Sequence, residues 1–250
     1  MQDLTLIKKR KYFEKYGFVK INNLLSASEI KIIKKDLEDF KDKQQNILSG
    51  KDINFTNDGS INSIHTMDSW KWTKKIQNDK RLKNLAEVFL REKPDNYGAE
   101  LFAKPAKTGM ASPPHQDNFY WGINDANAIT VWIALNKSDK KNGGVFYYKG
   151  SNHLGLLEHK PSFAPGSSQT IKYPEGMKFF EKKIPSLKPG DCIIHNVLVV
   201  HGSEKNLSNM PRVGWTIRYK SKKSYRDTKI ADNHKKDLAM QLKKRNNARI

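Results

Sequence analysis

At Pro94 the hydrophobic period of this chain changes from that of helices to that of strands, and few folds accommodate such a change. Ahead of it, residues 9–16 read as a short helix stopped by Gly17, with a brief strand at 18–21. Ser26 and Glu29 have capping-box spacing, and Ile30, Ile33, Leu37 and Phe40 follow along one helical face. Residues 41–62 are polar and have the composition of a loop. Over 81–90, Leu82, Leu85, Ala86, Phe89 and Leu90 share a second helical face. Past Pro94, residues 99–103, 128–135, 145–148, 192–200 and 213–219 read as strands bounded by Gly, Pro, Asn and Asp. Val213, Trp215, Ile217 and Tyr219 alternate with Arg212, Gly214, Thr216 and Arg218, so each set takes one face. Helices leading into many short strands imply a mainly β chain with N-terminal helices and a jelly-roll core. A single domain is expected over 1–250: a mainly helical buttress at 1–94, the jelly roll at 95–222, and a basic tail or helix at 223–250.

A chain of 250 residues buries enough surface to fold without disulfides, and the one cysteine, Cys192, leaves none to form internally. That cysteine usage points to a reducing compartment. The opening MQDLTLIKKRKYF has no apolar core before a small-residue cleavage site, so no secretory signal is expected there. The longest apolar runs are too short to span a bilayer, and a cytoplasmic location is expected. The formal charge of +20 invites a nucleic-acid reading. However, the excess is mainly lysine spread along the chain, enriched together with asparagine and isoleucine, so we assign it to composition ahead of nucleic-acid binding. Oligomeric state is not legible.

The chemistry lies in an ordered set of residues. Pro113-Pro114-His115-Gln116-Asp117 puts His115 and Asp117 two apart, which on a strand directs both side chains to one face. His201 ends the apolar run Val199-Val200 ahead of Gly202-Ser203. Two imidazoles and one carboxylate suit Fe(II), because three such ligands leave positions open for a bidentate cosubstrate and dioxygen. No fourth Cys or His pattern suggests a closed zinc site. Arg212 follows at the distance of a hairpin returning beside the His201 strand, and its planar fork suits a carboxylate such as the far end of 2-oxoglutarate. Asn142-Gly143-Gly144 marks a tight turn before a strand.

In that order HQDNFYW, VWIAL, NGG, KGSNH and GDCIIHNVLVVHGSEKNLSNMPR resemble the phytanoyl-CoA dioxygenase family over residues 95–220, with a weaker echo in YFEKYGFVKINNLLSASEI. The resemblance implies a double-stranded β-helix, or cupin-like jelly roll, with His115, Asp117 and His201 as iron(II) ligands and Arg212 on the cosubstrate's distal carboxylate. It also implies Ser203, Gln116 and Trp132 as neighbours of 2-oxoglutarate. The implied reaction hydroxylates an unactivated C–H bond of a small organic metabolite, expected to be anionic, while 2-oxoglutarate and O2 yield succinate and carbon dioxide. In related halogenases a small residue replaces the carboxylate ligand; Asp117 stands here, which favours hydroxylation.

Several residues carry two readings. His195, six residues before His201, reads as a core residue or a partner of the ligands rather than a ligand. Arg218 is either solvated or turned inward to meet an anionic substrate group. Tyr120 and Trp121, just after the metal motif, are candidates for the substrate pocket. His65 either lines that pocket or packs structurally. His159 opens a Pro/Gly/Ser-rich loop reaching Gln169, which reads as a lid or as plain loop. Two alternatives to a small-molecule hydroxylase stay open: a catalytically silent jelly-roll ligand binder, and a nucleic-acid-modifying oxygenase.

Overall fold

The computed structural model describes residues 2–44, 47, 52–164, 166–229, 232 and 239–241. In chain order the first half holds α1 (Gln2–Tyr16), β1 (Phe18–Ile21), α2 (Ala27–Gln44), β2 (Ile53–Phe55), β3 (Ile61–Ile64), α3 (Lys71–Gln77), α4 (Lys80–Leu90), β4 (Pro94–Lys104), β5 (Ser112–His115) and α5 (Asn118–Trp121). β6 (Ala128–Ala134), β7 (Val145–Tyr148), β8 (His159–Ala164), β9 (Ser167–Ile171), β10 (Lys182–Lys183), β11 (Cys192–Asn196), β12 (His201–Ser203) and β13 (Arg212–Ser221) follow. Seven strands form one sheet in the order β1-β11-β6-β13-β4-β3-β2, and four form a second in the order β10-β7-β12-β5. The ladders among these strands are antiparallel, as in a jelly roll.

The alternation read along β13 divides the large sheet into two faces. Trp215, Ile217 and Tyr219 join Ala99 and Leu101 of β4 and Ile129, Val131 and Ile133 of β6 in one core. Ile33 and Leu37 of α2, Ile76 of α3, and Leu82 and Phe89 of α4 cover it. The opposite parity (Glu100, Lys104, Thr130, Trp132, Arg212 and Arg218 among others) faces a cavity of about 490 Å³. The small sheet closes its other side through His115, Val145, His201 and Ser203.

Four details differ from the reading of the sequence. The first 94 residues do more than buttress: β1 pairs with β11, and β3 joins β4, so both edges of the large sheet come from this region. β2 lies inside the polar stretch taken for loop, hidden because only Ile53 of its three residues is buried. The strand expected over 192–200 breaks after Asn196, whose side chain accepts from Leu198 N (2.8 Å) while its carbonyl accepts from Val199 N (3.1 Å). This asparagine turn is masked in sequence because Val197, Val199 and Val200 are all buried. The loop expected up to Gln169 is instead the β8–β9 hairpin, whose Ser167 bonds Ser112 Oγ of β5 at 2.9 Å. The basic tail expected at 223–250 lies largely outside the described residues. No helix among the described residues is long and apolar enough to cross a membrane.

Gly214 sits on the cavity face of β13, where a Cβ would run into the indole of Trp132. Gly214→Ala is therefore expected to force Trp132 out of its rotamer and lower the urea midpoint by the equivalent of about 1–3 kcal/mol. An unchanged midpoint would show that the indole moves freely.

Candidate functional site

β12 and β5 pair with His201 directly opposite His115, bringing the two imidazoles to a ring separation of 4.4 Å. β5 ends at His115 and the chain turns into α5, with Asp117 at the helix entrance in the α region (φ −60°, ψ −34°). His115 and Asp117 thus converge because the chain bends between them, not through the strand alternation expected from their spacing. Asp117 Oδ1 lies 3.9 Å from His115 Nε2 and 3.6 Å from His201 Nε2. The three ligand atoms fall within 4.8 Å of one another, close enough for one ion to reach all three.

Each ligand atom is prepared by a second contact. His115 Nδ1 donates to the Pro113 carbonyl (2.8 Å) and His201 Nδ1 to the Val199 carbonyl (3.0 Å), so both Nε2 lone pairs face the cavity. Burial pushes both imidazoles down to about 4, which keeps them neutral and able to ligate at pH 7. Burial works the other way on Asp117, but the surrounding imidazoles, His201 foremost, outweigh it and keep the carboxyl ionised. Asp117 Oδ2 accepts from Thr130 Oγ1 (2.7 Å) and His195 Nε2 (3.0 Å), which leaves Oδ1 for an ion. The donors arrive together because Thr130 and His195 are cross-strand partners of β6 and β11. Tyr147 donates onward to His195 Nδ1 at 3.1 Å. The donor set fits iron(II): two neutral imidazoles and one carboxylate, with the rest of the cavity open beside them.

Arg212 reaches the same cavity from the other sheet. It does not return beside the His201 strand as a hairpin would; β12 and β13 lie in different sheets, and Arg212 pairs with Lys104 of β4. Its Nε and Nη2 donate to the Gly143 carbonyl at 3.2 and 3.0 Å, which gives the Asn142-Gly143-Gly144 turn a role in holding this side chain. Nη1 donates to the Phe102 carbonyl (3.3 Å), and the guanidinium lies 5.3 Å from the Trp132 ring. The side chain is buried with no carboxylate partner among the described residues, and burial pushes the guanidinium down to about 9. A buried cation without an acid is costly unless an anion completes it.

The cavity wall also holds Ser203, Trp132, Tyr120, Trp121, His65 and Arg218. Three expectations are corrected. Gln116 does not face the cavity: its buried side chain is turned away from it and ties the Gly155 and Leu198 carbonyls (2.8 and 2.6 Å) to Leu157 N (2.8 Å). Its two neighbours converge on one point, which leaves the residue between them on the opposite side. His159 is likewise outside, stacked on Phe119 at 4.4 Å with Gln116 N donating to its Nε2 (3.1 Å). Arg218 reaches the cavity already paired with Glu100, Nη1 to Oε1 at 3.2 Å, so its charge is balanced by a carboxylate rather than standing alone as the sequence suggested.

Thr130, Tyr147, Glu100 and Lys104 had not been singled out. A lone threonine in an apolar strand and charges at alternating positions of β4 are the only signals for them. Lys104 is buried beside Arg212, its Nζ donating to the Met110 carbonyl. Burial, with help from Arg212, pushes the amine down to about 6, against 10.5 for a free lysine. The unfolded chain therefore binds the extra proton between pH 6 and 10.5, and this group's contribution to stability rises with pH across that window. Lys104→Met should raise the Tm at pH 7, with a gain that shrinks as pH approaches 10. Melting curves of both proteins at the two pH values test this, and an equal gain at both would show that Lys104 is charged when folded.

The family model described as Phytanoyl-CoA dioxygenase (PhyH) matches residues 13–214. Bovine (Bos taurus) peroxisomal phytanoyl-CoA dioxygenase is 24% identical over 223 residues, which covers 81% of this chain and 64% of the bovine protein. The chain thus spans just under two thirds of that relative's length. Ectoine dioxygenase of Stutzerimonas stutzeri is 26% identical over 146 residues, covering 56% of this chain and 48% of that one. Among solved structures, EctD from S. alaskensis, crystallised with 2-oxoglutarate and 5-hydroxyectoine, superposes with a TM-score of 0.71 at 19% identity, covering 86% of this chain and 75% of EctD. The non-heme alpha ketoglutarate dependent epimerase SnoN gives 0.71 at 18% identity, covering 92% and 88%. At these identities the structural likeness is one of fold.

Proposed function

The chain belongs to the phytanoyl-CoA dioxygenase family, and from that premise we propose that it is an iron(II), 2-oxoglutarate-dependent dioxygenase hydroxylating an unactivated C–H bond of a small organic molecule. The observation that carries this reading is the pairing of two features in one cavity. His115, Asp117 and His201 present three metal-ready atoms, and Arg212 presents a buried cation with no carboxylate partner among the described residues. A silent ligand binder would have no need of both.

In this reading His115, Asp117 and His201 hold the iron, and Arg212 takes the distal carboxylate of 2-oxoglutarate. Ser203 and Trp132, which share the cavity wall with Arg212, flank the cosubstrate. Iron(II) and 2-oxoglutarate, when bound, supply the activation of O2, so that one oxygen atom enters the substrate as hydroxyl and the other enters succinate, with release of carbon dioxide. The protein's own work is positional. Thr130 and His195 fix which carboxylate oxygen of Asp117 turns toward the metal. The Gly143 carbonyl holds the guanidinium of Arg212 in place before the anion arrives. Tyr120 and Trp121 supply apolar wall beside the metal site. An anionic substrate group has less support than the sequence suggested, because Glu100 offsets the charge of Arg218.

Anaerobic titration with Fe(II) and 2-oxoglutarate tests the reading through the weak visible charge-transfer band of the chelate. The band should form in the wild type and vanish in His201→Ala. In Arg212→Met half-saturation should need about 10- to 100-fold more 2-oxoglutarate, the range for losing charge-assisted hydrogen bonds. No band in folded, iron-loaded wild type would overturn the proposal.

A further inference from the structure

Glu100 and Arg218 form a half-buried pair on the cavity wall that the chemistry above does not use. They sit on adjacent strands, with Thr216 opposite Glu100 and Arg218 opposite Gly98. Glu100 Oε1 accepts from His65 Nδ1 (3.1 Å) and lies 3.2 Å from Arg218 Nη1 as an ion pair, while His65 Nε2 meets Ser63 Oγ at 3.1 Å. Burial opposes the charge on Glu100, but Arg218 and the His65 hydrogen bond overcome it and hold the carboxyl below its usual range. The guanidinium also lies 5.3 Å from the Trp121 ring.

Three features set this pair apart from a structural ion pair. First, it is incomplete on both members. The His65 hydrogen bond falls on Glu100 Oε1 and leaves Oε2 for a further donor, and among the described residues Arg218 Nε, one of the five N–H donors of its guanidinium, is buried with no acceptor. Second, the backbone gives way to it. Gly98 is held at φ +110°, and a Cβ there would lie 2.5 Å from Arg218 Nη2. Third, a half-satisfied, half-buried pair adds little to stability compared with apolar side chains of the same size.

Its position assigns it to the substrate rather than the cosubstrate. Arg212 and Arg218 point into the cavity from the same strand, six residues and therefore about 20 Å apart. Thr130, the hydrogen-bond donor to Asp117, is the cross-strand neighbour of Arg218. Arg218 thus lies at the level of the metal ligands, well along the strand from Arg212. At the cavity mouth Arg226 adds an exposed cation.

We propose that Glu100 and Arg218 are the substrate's polar subsite and that they take an amino-acid-type zwitterion, the ammonium group donating to Glu100 Oε2 and the carboxylate accepting from Arg218. This rests on the oxygenase reading of the same cavity. A plain carboxylate would meet Arg218 but also the like charge of Glu100, and a plain amine the reverse. A zwitterion supplies the donor and the acceptor that the pair lacks and leaves its charge balance unchanged.

Three matched probes test this: L-norleucine, hexanoate (its skeleton without the amine) and pentylamine (its skeleton without the carboxylate). Each is titrated calorimetrically into the anaerobic protein with Fe(II) and 2-oxoglutarate. Norleucine should bind wild type at least about tenfold more tightly than either analogue, the factor expected from one charge-assisted hydrogen bond. Glu100→Gln should move the preference to hexanoate, and Arg218→Gln should move it to pentylamine. Two opposite shifts cannot come from a general loss of folding. Hexanoate matching norleucine in the wild type, a preference order that neither substitution alters, or no binding of any probe would overturn the proposal. Calorimetry reports probe binding whether or not the chelate band appears, so failure of the oxygenase reading shows separately.

Discussion

The strands of the large sheet carry the hydrophobic core at one parity and the functional cavity at the other, and the remaining architecture depends on that division. Trp215, Ile217 and Tyr219 are buried against the helices, which commits Arg212, Thr216 and Arg218 to the opposite face. A slip of one residue would turn charged side chains into the helical layer and core aromatics into the cavity. Burial of the apolar parity is thus what holds Glu100, Lys104, Arg212 and Arg218 in a poorly solvated space that they would otherwise avoid. The same division explains why β1 and β3, from the N-terminal region, belong to the sheet: they extend the surface on which the helices pack.

Within the cavity, charge is distributed by what each group can find as a partner. Asp117 divides its two oxygens, one held by Thr130 and His195, the other facing two imidazoles. Those imidazoles stay neutral because burial disfavours their protonation more than a single carboxylate can reward it. Among the described residues Arg212 and Lys104 form no ion pair, whereas Arg218 has Glu100. The result is an acidic centre ready for a cation, an end of the cavity ready for an anion, and a charge-compensated pair on the wall beside the metal ligands.

Much of this was legible before any coordinates. The parity of β13, the helical faces of α2 and α4, and the ordered appearance of His115, Asp117, His201 and Arg212 follow from spacing alone, because period and side-chain chemistry are local properties. The failures share one cause. His115 and Asp117 suggested a strand, yet the chain bends between them. Arg212 suggested a hairpin, yet the chain crosses to the other sheet. His159 and Gln116 carried plausible chemistry but face each other outside the cavity, where they fasten the Gly155–His159 segment to the metal motif. Arg218 was read without Glu100, which lies more than a hundred positions away in sequence.

Residue types at strand or helix spacing, and the order of potential ligands, were determined by the sequence itself, since each depends on neighbours a few positions apart. Only the tertiary structure decided which side chains share a point in space, which are neutralised, and which are left without a partner. Those outcomes are set by desolvation and by contacts between strands distant in the chain, and a linear pattern contains neither.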